Sequence, residues 1–240
     1  MWNAKIITAY PEMFPGTLGH SVIGNALSNK KWSLNIINLH NFGYDERKSI
    51  DDSPFGGGPG MIIRPDVVEK AVISITENTE TKMPLVYLSP SGKSLNQQDL
   101  INYSQGEGII ILCGRFEGVD ARVIDTLGFK EVSIGDYVLA GGEVAAQVLV
   151  EGCVRLLPGV LGRSESILEE SFSKNLLEYP QYTRPQVWVD NKKEKHHVPD
   201  ILLSGHHEKI KEWRNNKSLE KTKKNRPDLI KQEKIEIKNE

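Results

Sequence analysis

The stretch Glu131–Gly162, EVSIGDYVLAGGEVAAQVLVEGCVRLLPGVLG, decides the fold. Its first residues are β-rich, IGDYVLAGGE reads as a glycine-bearing loop, and the apolar helical pattern that follows ends at Arg155 and Pro158. Gly135, Gly141 and Gly142 have no Cβ, so the loop's main chain can come close to a ligand. Two earlier segments repeat the design: LVYLSPSGK (Leu85–Lys93) and IIILCGRFEGVD (Ile109–Asp120). Three apolar strands, each emptying into a Gly- or Pro-bearing loop, point to one ligand held at the strands' carboxyl ends.

Toward the N-terminus, Trp2–Tyr10 and Ser33–Phe42 read as strands around a helix near Leu18–Lys30. Tyr44–Ile63 contains DDSPFGGGPG, too rich in Gly and Pro for regular structure. Arg64-Pro65-Asp66 opens a helix with proline in its first turn. Helices near Asn96–Tyr103 and Asp120–Leu127 alternate with the strands LVYLS and GIIILC. This βαβα series predicts an α/β fold with a largely parallel sheet. After Gly162 the periodicity fades. Residues 163–196 hold YPQYTRPQV and DNKKEKHH and read as a linker or ordered loop. From Val198 the pattern is helical: PDILLSGHHEKIKEWR, broken at Ser204-Gly205 before a helix carrying Ile210 and Trp213, then SLEKTKKNRPDLI. The expected divisions are 1–162, 163–196 and 197–240.

With 38% apolar residues in 240, the chain can bury a real core. No apolar run reaches the ~18 residues that span a bilayer, and the N-terminus lacks the basic-then-apolar pattern of a secretory signal. Cys113 and Cys153 are the only cysteines, which fits two free thiols in a reducing cytosol. The net charge of −2 conceals an asymmetry. Residues 1–190 carry 16 Lys/Arg against 23 Asp/Glu, whereas 191–227 carry 11 against 5. A basic segment on an acidic body suits a polyanionic partner, and equally a solvated lysine-rich helix pair.

Several chemistries are excluded by pattern. The loop DDSPFGGGPGM lacks the Gly-Lys-Ser/Thr ending of a phosphate loop, and no GxGxxG joins a strand to a helix. No metal site is expected, since His196-His197 and His206-His207 are adjacent pairs whose side chains diverge. Ser89, Ser91 and Cys113 have no neighbouring histidine in sequence to serve as base. The better candidates are Glu117, Asp120 and Asp136 in the loops, Arg155 after the helix, and Glu165, Glu169 and Glu170 beyond. A carboxylate in a partly dry site can take a proton, and an arginine beside it can hold developing negative charge. Singly, each reads more readily as a surface ion pair or helix cap.

Taken together, DDSPFGGGPGM, YLSPSGKSL, LCGRFEGVDARVI, SIGDYVLAGGE, RLLPGVLG, YPQYTRPQV and LLSGHHEKIKEWR closely resemble the bacterial tRNA (guanine-N1)-methyltransferases of the SPOUT superfamily, in order and spacing from Met1 to about Leu229. The resemblance implies a parallel sheet with a deep trefoil knot, a small C-terminal helical domain, and a cytoplasmic homodimer with active sites shared between subunits. It implies S-adenosylmethionine as methyl donor, Mg2+ as an assisting ion, and N1 of guanosine 37 in tRNA as acceptor. The donor site would comprise Leu88, Ser89 and Pro90 from the first loop and Gly114 and Glu117 from the second. From the third come Ile134, Gly135, Asp136, Tyr137, Val138, Leu139, Gly141 and Gly142. Arg155 matches the catalytic arginine.

Glu170 stands where the family's proposed base is an aspartate, and the added methylene displaces the carboxylate. Phe116 replaces a frequent tyrosine, and Ala145 a frequent proline. Lys192, Lys193, Lys195, Lys209, Lys211 and Arg214 would touch phosphates of the anticodon arm. Asp51 and the glycines 56–58 would help to shape the site. Two other readings stay open: a SPOUT methyltransferase acting on another nucleotide, and an RNA-binding module that has lost its catalytic base.

Overall fold

The computed structural model describes residues 1–77, 82–161, 171–172 and 175–230. They belong to two compact units, Met1–Gly162 and Arg163–Glu240. In the first unit, strands β1 (Trp2–Thr8), β2 (Trp32–Asn38), β5 (Leu85–Ser94), β6 (Gly108–Cys113) and β7 (Lys130–Ser133) form one sheet in the order β2-β1-β6-β5-β7. Every pairing in it is parallel. Helices α1 (Ser21–Ser28), α2 (Pro65–Thr76), α3 (Gln97–Ser104), α4 (Ala121–Leu127) and α5 (Glu143–Val154) cover its two faces.

The centre of the sheet explains the unbroken apolar run of β6. Ile109, Ile111 and Cys113 pack on one side with Ile23 and Ala26 of α1 and Ala146, Leu149 and Val150 of α5. Ile110 and Leu112 pack on the other with Val67, Val68 and Ala71 of α2 and Val123 and Ile124 of α4. A strand covered on both faces has no reason to alternate with polar residues. Local signals set the helix ends. Asn96 and Asp99 form a reciprocal capping box at α3. Asp120 caps α4 by accepting from the Arg122 N–H, and Gly128 at φ 70° closes it in the left-handed conformation.

The parallel α/β architecture agrees with the sequence reading, and within the first unit the details depart from it at three places. The segment expected to be wholly irregular contains a short antiparallel ribbon, in which Asp51–Asp52 (β3) pairs with Ile62–Ile63 (β4). Ile50 and Ile63 are buried, so the core pins both ends of the glycine-rich loop. Second, β2 stops at Asn38 and passes into a 3-10 turn over Leu39–Phe42. Third, β5 does not end at its loop. Leu88 pairs with Val132, the chain arcs out, and Lys93 pairs with Val132 again. Gly92 makes this possible, because a Cβ there would lie 2.4 Å from the Val132 nitrogen.

In the second unit, residues expected to be a linker form a hairpin of β8 (Val187–Val189) and β9 (Lys195–His197). The two helical stretches expected after Val198 become a 3-10 turn over Asp200–Leu203 and one helix, α6 (His207–Asn225). Gly205, at φ 70°, makes the break between them. α6 is polar on nearly every face and is held by specific contacts rather than an apolar stripe. Buried Thr222 accepts from the Leu177 N–H at 2.8 Å, Lys221 donates to the Glu178 carbonyl at 3.0 Å, and the Arg214 guanidinium lies 4.8 Å over the Tyr179 ring. Among the described residues, no helix is long and apolar enough to cross a membrane.

Candidate active site

Because β5, β6 and β7 are parallel neighbours or near neighbours, their carboxyl ends emerge at one edge of the sheet. The three following loops surround a cavity of about 380 Å³. Leu88, Ser89 and Pro90 line it from the first loop, and Gly114 and Glu117 from the second. The third contributes Ile134, Gly135, Tyr137, Val138, Leu139, Gly141 and Gly142. Asp136 is exposed and not part of the lining. The lining also takes in Phe116 and Ala145, the positions where hydroxyl and ring are missing relative to the resembled pattern.

The loops are locked to each other through main chain. The Gly142 N–H donates to the Gly114 carbonyl at 2.9 Å, and a Cβ on Gly142 would stand 2.8 Å from the Cys113 Cα. Ser133 Oγ donates to the Gly135 carbonyl at 3.0 Å and accepts the Gly135 N–H at 3.2 Å, shaping the start of the third loop. The glycine-rich loop joins from the side. The Glu117 N–H donates to Met61 at 3.0 Å, the Ile63 N–H donates to Gly118 at 3.0 Å, and Gly60 leaves room for the Glu117 side chain. Gly56, Gly57 and Gly58 meet nothing nearby and all have positive φ.

In the cavity wall lies a charge pair that sequence reasoning missed: Arg115, which lines the cavity, and buried Glu143 behind it. Arg115 Nε stands 2.9 Å from Glu143 Oε2, with Glu143 almost wholly buried. The two atoms are close but poorly aligned for a hydrogen bond, so charge attraction rather than a directional bond joins them. Thr8 Oγ1 donates to the other carboxylate oxygen at 2.8 Å, and the Arg115 guanidinium stacks 4.3 Å over Tyr10. Gly141 rests on the Arg115 side chain, since a Cβ would meet its Nε at 2.4 Å. Nothing local in the sequence links these two residues; only the convergence of second loop and α5 does. Burial pushes the Cys113 thiol well above its ordinary pKa; nearby Glu143 adds to this and Arg115 opposes it. A thiol so held is no nucleophile.

Arg155 caps the far end of α5, about 18 Å along the helix from the cavity edge at a rise of ~1.5 Å per residue. Glu165, Glu169 and Glu170 lie outside the described residues. In the second unit, Lys192, Lys193 and Lys195 sit on or beside the β8–β9 hairpin, and Lys209 and Lys211 on α6, all exposed. Arg214 is instead engaged with Tyr179. Asp190, Glu194 and His196 approach one another closely enough to hold a metal ion, a grouping invisible to a search for adjacent histidines because strand pairing creates it. The Asp190 carboxylate is already taken by the Lys192 and Glu194 N–H groups and by His196 Nε2, so the trio braces the hairpin turn.

A parallel sheet whose strand ends hold a part-apolar, main-chain-rich cavity of this size places the chain among α/β proteins with a small-molecule site at that edge. Which kind follows from likeness to known proteins. The family described as tRNA (Guanine-1)-methyltransferase TrmD matches residues 2–232. A tRNA (guanine-N(1)-)-methyltransferase of Ehrlichia canis is 51% identical over 95% of this chain and 94% of its own length. Proteins with the same name from Rhodospirillum rubrum and Ruegeria pomeroyi are 50% and 48% identical, each over 95% of this chain and 92% of their own. The chain belongs to the tRNA (guanine-1)-methyltransferase family, and it is a methyltransferase.

Proposed function

We propose that the protein transfers a methyl group from S-adenosylmethionine to N1 of guanosine 37 in tRNA, as a homodimer in the cytoplasm. The observation that carries this is the convergence of the three loops on one cavity in a chain of this family. The cavity suits the donor's chemistry. Leu88, Ile134, Leu139 and Ala145 offer apolar walls to an adenine, main-chain groups of the third loop offer its edge donors and acceptors, and Glu117 offers a carboxylate to a cationic ligand. When bound, the donor supplies a methyl group activated by its sulfonium, so the protein's task is alignment.

Guanine N1 carries a proton and attacks poorly until a base removes it. Glu170 is the proposed base. As the proton leaves, negative charge moves toward O6, where the Arg155 guanidinium stabilises it. Arg155 cannot reach its own chain's cavity along α5, which favours a site completed by a second copy. The outward face of α5 supports that arrangement. Val144 and Val148 are half exposed, and Arg155 falls on the same helical face. The threading of the chain into a knot belongs to the same proposal and rests on the resemblance to the SPOUT methyltransferases. The basic lysines of the second unit would hold the anticodon arm, and Mg2+ would assist from the RNA side, since it favours phosphate oxygens.

Mass spectrometry of transcript tRNA incubated with labelled donor tests the reading. It predicts one methyl at N1 of guanosine 37. Methylation at another position or nucleotide would replace it with the neighbouring SPOUT activity, and tRNA binding with no transfer would leave only the RNA-binding module.

A further inference from the structure

The β8–β9 hairpin is exposed along both strands. A two-stranded ribbon with no core of its own is marginal in water, yet this one is carefully braced. The Asp190 carboxylate accepts from the Lys192 and Glu194 N–H groups at 2.9 Å each and contacts His196 Nε2 at 3.0 Å. That contact, followed by the main-chain bonds, holds the Asp190 carboxyl below the usual range. The brace fixes His196 against Trp188, its cross-strand partner, with ring centroids 5.1 Å apart and planes 30° from parallel.

The indole is still 58% exposed, and Val187 and Val189, on the ribbon's other face, are exposed as well. The hairpin that presents it is basic: Lys192 and Lys193 occupy the turn, Lys195 and His197 project from the ribbon's other face, and Asp190, one of its two acids, is spent on the brace. An aromatic plane rigidly presented within a basic setting fits an unpaired base with its phosphate. A protein partner would more readily want an apolar patch free of lysines.

We propose that the hairpin is a stacking site, in which Trp188, backed by His196, receives an unpaired base of the RNA substrate while Lys192 and Lys193 of the turn contact its phosphates. This rests on the proposed tRNA substrate and adds a base-contacting residue outside the catalytic cavity. Stacking is sequence-tolerant, so the site would position the RNA rather than select a nucleotide.

The test compares the full-length parent with Trp188→Ala, Trp188→Phe and the pair Lys192→Ala/Lys193→Ala, using unmodified tRNA transcript and S-adenosylmethionine as separate probes. Trp188→Ala should weaken transcript binding about tenfold, in the range set by alanine substitution of a stacked base. The dependence of affinity on salt and the donor Kd should not change. Trp188→Phe should stay within about threefold of the parent, because a ring remains to stack. The lysine pair should instead flatten the salt dependence. Transcript affinity unchanged in Trp188→Ala would overturn the proposal and leave this face to some other partner. So would a Phe variant as weak as the Ala variant, which would mean packing rather than stacking. Methyl transfer by the parent to the same transcript is read separately: its absence would remove the proposed activity while the binding comparison still decides the hairpin.

Discussion

Arg115 and Glu143 are the residues on which the cavity stands. Removing one partner of a buried pair strands the other charge and costs about 3–5 kcal/mol. Glu143→Ala should therefore lower the urea midpoint by a corresponding amount and weaken donor binding, since Gly141 rests on Arg115. A loss below about 1 kcal/mol would mean that water reaches Arg115 and the pair is not a foundation. Arg155 makes the opposite prediction. Arg155→Ala should slow methyl transfer by about 100–1,000-fold, as loss of one charge-stabilising donor does, and leave donor affinity unchanged. Equal losses in both would make it structural. At this scale the sequence exposed what sits in glycine-marked loops, such as Leu88, Gly114 and Ile134. It hid Glu143, whose importance comes from Thr8 and Arg115 arriving from distant strands.

Among elements, the loops are held by their contacts with one another. A methyl on Gly142 would press on Cys113 and Gly114 main chain, which cannot swing aside. Gly142→Ala should thus reduce donor affinity at least tenfold by calorimetry, while Gly58→Ala, with open space around it, should disturb the cavity little. Equal effects would contradict the loop-locking account. The cap of α4 gives a pH signature. The side-chain bond from Arg122, followed by the main-chain N–H, holds the Asp120 carboxyl below its ordinary value. Such a group stabilises fully above the unfolded aspartate pKa of about 3.9, and the contribution fades as pH falls through the lower folded value. Asp120→Asn should cost about 0.5–1 kcal/mol at pH 6, and the difference should shrink steadily as pH falls below about 4 in urea titrations. Apolar runs and caps made most of these elements legible in advance. The β8–β9 hairpin was not, because an exposed ribbon carries no burial pattern to read. Nor was the continuity of α6, whose polar faces are satisfied by residues 176–182 rather than by a stripe.

For the whole molecule, the sheet, the cavity and the proposed second copy form one account. If α5 packs against its counterpart, Val144→Glu with Val148→Glu should give a monomer by sedimentation, still folded and inactive in methyl transfer. A fully active monomer would refute the shared site. Motif order carried this level best: apolar strands announced a parallel sheet, and repeated glycine loops announced their meeting at one cavity. The proposed threading would leave no such trace in periodicity, since alternating strands and helices look the same whether or not a loop encloses them. The central claim remains the ligand at the strand ends, and a crystal structure with S-adenosylmethionine tests it most directly. The account predicts adenine between Leu88, Ile134 and Leu139, with the sulfonium turned toward the Glu117 side of the cavity. Clear density for the nucleotide elsewhere, with these loops empty, would contradict it.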